Sequence, residues 1–245
     1  MTMKLTILGV SGGFPAAGGA TSGYLLEIGN HHILIDCGSG VLSKLFSCIP
    51  LEQLSAVILT HLHHDHISDM QVLKYAIDIS RKHGIDLAPI PVIAPRTPEQ
   101  LAASLESDGN LIIGHILPDS PIKLFDATIR FFPMEHPLET YGLLIEAEGK
   151  RLAYTADSVP CANLSPLLDQ ADLAIMDAGS LERLRRPVMM HMTAQECGRI
   201  ARESGVKRLL LSHLVPVIDP RETLAEAQAE FPQAELATVL QTIEL

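Results

Sequence analysis

The stretch Thr60-His61-Leu62-His63-His64-Asp65-His66 joins an apolar run to a helical one, and few folds can house such a junction. Upstream, Leu54 to Leu59 reads Leu-Ser-Ala-Val-Ile-Leu, the pattern of a short buried strand. Downstream, Ser68 and Gln71 have capping-box spacing, and Val72, Leu73, Ala76 and Ile77 recur at helical intervals. A strand-to-helix turn therefore carries a cluster of imidazoles and a carboxylate. His61 and His63, two apart on extended backbone, point the same way, while Asp65 and His66 fall where the chain turns. Imidazole with carboxylate suits zinc or a similar first-row metal. One segment cannot complete a metal site, so further ligands must come from distant strand ends.

Composition narrows the class. A chain of 245 residues, 47% hydrophobic and 19% charged, buries a sizeable core and is expected to form one domain over 1–245. The net charge of −11, the absence of Trp and of any basic run, and an aromatic content of 4% argue against a broad nucleic-acid surface. No apolar stretch approaches a membrane span, and Met1 to Val10 lacks a signal-peptide layout. Cys37, Cys48, Cys161 and Cys197 lie far apart without a Cys-x-x-Cys, and read as free thiols of a cytoplasmic, soluble protein.

Taken in order, Lys4 to Val10 is a strand, followed by a glycine-rich loop over Ser11 to Ala20. That loop lacks a P-loop ending, and it reads equally as a turn or as a pocket lining. Ser22 to Ile28 and His32 to Ile35 form a hairpin through Gly29-Asn30, with His31 and His32 at its surface. Asp36 closes it, either as a turn residue or as a group orienting a ligand histidine. Helices are expected over Val41 to Cys48, from Asp69 to Lys82, and after Thr97-Pro98-Glu99-Gln100 with Thr97 as N-cap and Pro98 at the first position. His83 reads as a dipole partner at a helix end, and His115 as structural. Ile122 to Phe132 holds two strand-like runs, Tyr141 to Ala147 and Arg151 to Thr155 a second hairpin, and Leu173 to Met176 a strand ending at Asp177. A capping box at Thr193-Ala194-Gln195-Glu196 opens a helix to about Ser204; Lys207 to Ser212 is a strand; Asp219-Pro220 caps a helix; Leu236 to Ile243 is the last strand.

His61, His136, Asp157 and His213 each stand just past an apolar strand-like run. Strand ends on one rim of a sheet converge on a ligand site, so the repetition at separate strand ends marks these residues as functional.

The set Thr60-His61-x-His63-x-Asp65-His66, Glu135-His136-Pro137, Thr155-Ala156-Asp157 and Leu211-Ser212-His213 resembles the metallo-β-lactamase superfamily in order and spacing. The resemblance implies an α/β fold, a four-layer αββα sandwich. It also implies two divalent ions, zinc before manganese or iron, with His61, His63 and His136 on one, Asp65, His66 and His213 on the other, and Asp157 bridging them. Two features are most similar to the ribonuclease Z-like and phosphodiesterase branch: Leu34-Ile35-Asp36-Cys37-Gly38-Ser39-Gly40, and His191-Met192-Thr193-Ala194, which resembles an element supplying an extra catalytic histidine. His191 reads alternatively as a residue stapling the helix start. Asp69 stands where many relatives have Gly, with no role legible in the sequence. The span from Asp157 to His191 is too short for the long arm with which ribonuclease Z grips transfer RNA.

The implied activity is that of a dinuclear metal hydrolase, a phosphodiesterase of small molecules or short nucleotides working through a metal-bridging hydroxide, with Asp65 and His191 catalytic. A lactone, thioester or carboxyl-ester hydrolase is the alternative within the fold, and a metal-bound nucleotide-binding protein the alternative outside catalysis. An oxygen-reducing di-iron role is disfavoured, because such relatives carry a carboxylate where His63 stands. Family habit adds the expectation of a homodimer.

Overall fold

The computed structural model describes residues 2–106, 109–118 and 120–245. Two seven-stranded mixed sheets lie face to face. The first contains β1 (Met3–Gly9), β2 (Gly23–Ile28), β3 (His31–Ile35), β4 (Leu54–Ile58), β5 (Ile90–Ala94), β6 (Leu111–His115) and the final strand β14 (Thr242–Glu244), in the order β14-β1-β2-β3-β4-β5-β6. The second contains β7 (Ile122–Leu124), β8 (Ala127–Pro133), β9 (Tyr141–Ala147), β10 (Lys150–Tyr154), β11 (Leu173–Asp177), β12 (Leu209–Ser212) and β13 (Glu235–Leu236), in the order β13-β12-β11-β10-β9-β8-β7. Each sheet changes from antiparallel to parallel pairing partway across, at β3–β4 in one and β10–β11 in the other. The helices are α1 (Val41–Cys48), α2 (His64–Ile67), α3 (Met70–Lys82), α4 (Glu99–Leu105), α5 (Leu164–Leu168), α6 (Ala194–Glu203) and α7 (Pro220–Gln228).

Three apolar cores separate four layers. Leu5, Ile7, Ile33, Leu143, Ile145 and Leu210 meet between the sheets. Leu34, Leu45, Val57, Leu73 and Leu105 lie between the first sheet and α1, α3 and α4, and Leu144, Ala174, Leu167, Cys197 and Ala227 between the second sheet and α5, α6 and α7. Strands such as β1 and β9 are buried almost throughout because both of their faces are covered. Helix α6 buries Ala194, Cys197, Gly198 and Ala201, the i, i+3, i+4, i+7 stripe of a helix lying on a sheet. The expected αββα sandwich is thus the fold, and among the described residues no helix is long and apolar enough to cross a membrane.

Several local expectations are corrected. The turn after His63 is already helical, so Ser68 donates its hydroxyl back to the His64 carbonyl and forms no capping box with Gln71. Asp69 takes the N-cap position of α3, yet its carboxylate caps a different helix, accepting from Leu42 N at 3.0 Å at the uncapped start of α1. Thr97 does not cap α4; its hydroxyl donates to Glu139 at 2.8 Å, and Pro98 is the N-cap residue with Glu99 the first helical one. The run from Leu236 to Ile243 is two strands in different sheets, broken at Leu240, whose φ is 65°. Strand β6 and helix α5 escaped the sequence reading, the first because it is a short edge strand largely exposed beyond Leu111, the second because five residues show no period. The capping box of Thr193 with Glu196 and the Asp219 cap form as expected.

Asp69→Ala should lower stability by about 1 kcal/mol, the usual cost of losing a helix cap, while Asp69→Asn retains an acceptor and most of that. The urea midpoint reads the change; an unaltered midpoint in Asp69→Ala would leave the residue without this role.

Candidate metal centre

Strand β4 stops at Ile58, the chain bends at Thr60, His63 is extended, and α2 starts at His64. His61 and His63 therefore project together, while one helical turn swings Asp65 and His66 to a neighbouring point. His136 comes from the loop after β8, Asp157 from the loop after β10, and His213 directly follows β12.

All seven residues meet in two groups. In the first, His63 Nδ1 lies 3.1 Å from His61 Nε2 and 3.0 Å from His136 Nε2. Asp157 Oδ2 is 3.5 Å from His61 Nε2 and 3.8 Å from His136 Nε2. In the second, His66 Nε2 is 3.3 Å from Asp157 Oδ1 and 3.7 Å from Asp65 Oδ2, and His213 Nε2 is 3.2 Å from Asp65 Oδ2 and 3.3 Å from Asp157 Oδ2. Each group offers one donor atom per residue, all within 4.8 Å of one another, and Asp157 belongs to both. His31, His32, His64, His83 and His115 take no part in the groups.

The donors fit divalent cations. Three imidazole nitrogens at mutual contact can share protons only in part, whereas a cation at their centre satisfies all three lone pairs. His66 Nε2 and Asp157 Oδ1 are buried without a hydrogen-bond partner, a costly arrangement for a protein that binds nothing there. The outward nitrogen of most of these rings is already held: His61 Nδ1 by Thr60 Oγ1 at 3.1 Å, His66 Nδ1 by Asp36 Oδ2 at 2.8 Å and His136 Nδ1 by the Met190 carbonyl at 3.2 Å. Such partners fix tautomer and ring orientation for a ligand.

The two groups differ electrostatically. Burial pushes His61, His63 and His136 down, the last to about 4, so these rings are neutral at pH 7. Burial also opposes a charge on His66, but Asp157 and Asp36 outweigh it and lift the ring to about 10. His213 is raised in the same way by Asp157 and Asp177. Despite burial, Asp65 and Asp157 fall below the usual carboxylate range, Asp65 through its bond to His213 and Asp157 chiefly through the charge on that ring.

Asp36 does more than orient His66. Its buried carboxylate also accepts from Thr60 N at 2.8 Å, Thr60 Oγ1 at 2.9 Å and Tyr154 Oη at 3.1 Å. His191 stands beside the second group, its Nδ1 donating to Asp177 Oδ2 at 2.9 Å, and Asp177 Oδ1 lies 3.3 Å from His213 Nδ1. Asp177 is therefore a site residue that the sequence presented only as a strand end. Its place at the tip of β11, on the same rim as His213 after the parallel neighbour β12, was the available signal. Burial opposes charge on His191, and the Asp177 carboxylate more than offsets it, raising the imidazole.

A cavity of ≈ 350 Å³ opens over the centre, lined by Gly12, Gly13, Phe14, His63, Asp65, Asp157, His191, His213 and Val215. A larger cleft of ≈ 500 Å³ beside α5 and α6 brings together no ligand group among the described residues.

Residues 31–214 match the family model described as a β-lactamase superfamily domain. The chain is 38% identical over 212 residues to "Probable metallo-hydrolase YhfI" of Bacillus subtilis (strain 168), covering 86% of this chain and 87% of that protein. It is 30% identical to a "Ribonuclease Z" of Mycobacterium bovis (strain BCG / Pasteur 1173P2), covering 89% and 88%. The crystal structure of the metallo-β-lactamase fold protein YhfI superimposes with a TM-score of 0.96 at 35% identity over 100% of both chains.

Two outcomes are expected. Asp36→Asn, isosteric but a poorer acceptor, should weaken divalent-metal affinity about 10- to 100-fold, as loss of a ligand's outer partner does, measured by competition with a chromophoric chelator. Glu139 accepts from Arg96 N, Thr97 N, Thr97 Oγ1 and Tyr141 Oη, and these bonds hold it below its usual range against its burial. A lowered folded-state value gives stability above the unfolded pKa of about 4.3 that is lost as pH falls through the lower folded one. The stability gap between wild type and Glu139→Gln should therefore be flat above about pH 5 and close below it, staying within about 1 kcal/mol for a group only partly buried.

Proposed function

This chain belongs to the β-lactamase superfamily, on its ribonuclease Z-like branch, and we propose that it is a divalent-metal-dependent phosphodiesterase of small phosphodiesters or short nucleotides. The observation that carries this reading is His191, anchored through Nδ1 to buried Asp177 and lining the cavity beside two ligand groups that share Asp157. A relative named as a metallo-hydrolase and one named as a ribonuclease support hydrolysis and a phosphodiester respectively. His61, His63 and His136 would hold one ion and Asp65, His66 and His213 the other, with Asp157 between them, and imidazole–carboxylate donors favour zinc. Two divalent ions held so supply Lewis acidity at the phosphoryl oxygens and lower the pKa of water to about 7.

The chain's own groups do the rest. Asp177 fixes the His191 tautomer, so that Nδ1–H points to the carboxylate and Nε2 is left for the substrate. That carboxylate raises the imidazole, which favours a second proton at Nε2. As the phosphorus–oxygen bond breaks, that proton passes to the departing oxygen and His191 is left neutral. Asp65 is held in place by Gly13 N at 2.8 Å and by His213, and stays ionised. Transfer RNA falls outside the proposed substrates. The chain from Asp157 to His191 is taken up by α5, β11 and a short 3₁₀ turn, and the net charge is −11.

His191→Ala should cut kcat about 10²- to 10⁴-fold on diesters with an alkyl leaving group, and far less on p-nitrophenyl diesters, whose leaving oxygen needs no proton. Metal content should be unchanged. Turnover of lactones and thioesters without any diester hydrolysis would refute the phosphodiesterase reading. Tight nucleotide binding with no turnover across the panel would refute catalysis itself.

A further inference from the structure

The glycine-rich loop after β1 supplies no reacting group to the chemistry above, yet it is fastened to the centre at two points. Gly13 N donates to Asp65 Oδ2 at 2.8 Å. Gly12 N donates to the Leu214 carbonyl at 3.0 Å, and Gly12 lies so close to His213 that a Cβ there would stand 2.7 Å from Nδ1. Phe14 N folds back onto the Gly12 carbonyl at 2.9 Å. A loop held this firmly offers Phe14 in one place. The ring is nevertheless 51% exposed, belongs to none of the three apolar cores, and among the described residues stacks on no other ring. It lines the cavity with His63, Asp65, His191 and His213, and Val215 continues the same apolar wall. Among the described residues, no lysine or arginine lines that cavity.

We propose that Phe14 is the specificity-determining residue of the site, its ring face receiving a flat aromatic group, nucleobase or aryl, that the phosphodiester substrate carries. The proposal rests on the phosphodiesterase reading and narrows it to a substrate class. An unburied phenylalanine has no polar handle, and what it offers a ligand is planar area at low entropic cost because the loop is already fixed. Stacking tolerates any base or aryl ring, since each has a π-face. With no lysine or arginine in the described lining, the wall beside Phe14 offers a substrate the face of a ring instead of a charge.

The chain has no tryptophan, so Phe14→Trp places a sole indole at the cavity mouth. Its fluorescence, excited at the red edge, is titrated with adenosine 5′-monophosphate and with ribose 5-phosphate, which lacks the base. Quenching by the nucleotide at about tenfold lower concentration is expected, and equal midpoints overturn the proposal. In parallel, turnover of bis-p-nitrophenyl phosphate and of the dialkyl diester glycerophosphoethanolamine, the latter by phosphorus NMR, is compared in wild type, Phe14→Trp, Phe14→Leu and Phe14→Ala. Both Leu and Ala should raise KM for the aryl diester about tenfold with kcat little changed, Trp should not, and the dialkyl diester should respond less than twofold. Retention of the wild-type KM by Phe14→Leu means a merely apolar contact, and equal losses on both diesters mean a structural role; either result overturns the proposal. A nucleotide-selective indole in a protein that hydrolyses no diester upholds the stacking site and sinks the phosphodiesterase reading. Diester hydrolysis without ring preference does the reverse.

Discussion

One buried carboxylate holds the two halves of the molecule in register at the rim where the chemistry lies. Asp36 follows β3 of the first sheet and gathers the Thr60 amide and hydroxyl, the His66 ring and, from β10 of the second sheet, the Tyr154 hydroxyl. A wholly buried carboxylate is costly unless its lone pairs are satisfied, and here each donor comes from a segment the site needs in place. Around it, the Cys37 amide donates to the His66 carbonyl and the Asp69 amide to the Cys37 carbonyl. Gly38 is required in this strap, because a Cβ there would stand 2.0 Å from the Asp65 carbonyl. The histidine-rich turn is thus clamped from both sides before any ligand arrives.

Asp157 plays the corresponding part within the centre. Its Oδ2 faces His61, His136 and His213, and its Oδ1 faces His66. The first group is a set of neutral imidazoles; the second pairs raised imidazoles with the lowered carboxylate Asp65. The two halves of one centre consequently differ in how strongly protons compete for them.

Much of this was legible because strand ends are readable. An apolar run followed by His or Asp marks both the sheet and the rim, and the seven converging residues all carry that signature or sit in the turn beside β4. What escaped depends on contacts between distant segments. Asp69 was an anomaly in sequence and is a cap on a helix that precedes it by more than twenty positions. Asp177 looked like any strand-terminal acid until β11 was seen next to β12, with His191 folded back across it. The errors at Ser68 and Thr97 have one cause: each hydroxyl had a competing acceptor that local pattern does not reveal. The Leu236–Ile243 run misled because a continuous apolar string says nothing about which of two sheets receives each part.

Backbone shape at the rim completes the account. Asp36, Ala156 and His213 each adopt positive φ, 56°, 52° and 55°, just where β3, β10 and β12 run out. Asp36 and Ala156 lie one and two residues past the strand at which each sheet turns from antiparallel to parallel. A left-handed residue with a side chain costs about 1–2 kcal/mol, met here by the surrounding fold. The reorganisation an incoming cation or substrate would otherwise demand has been completed during folding, so the centre is preorganised, and any side chain placed at these three kinks bears the cost of a left-handed bend.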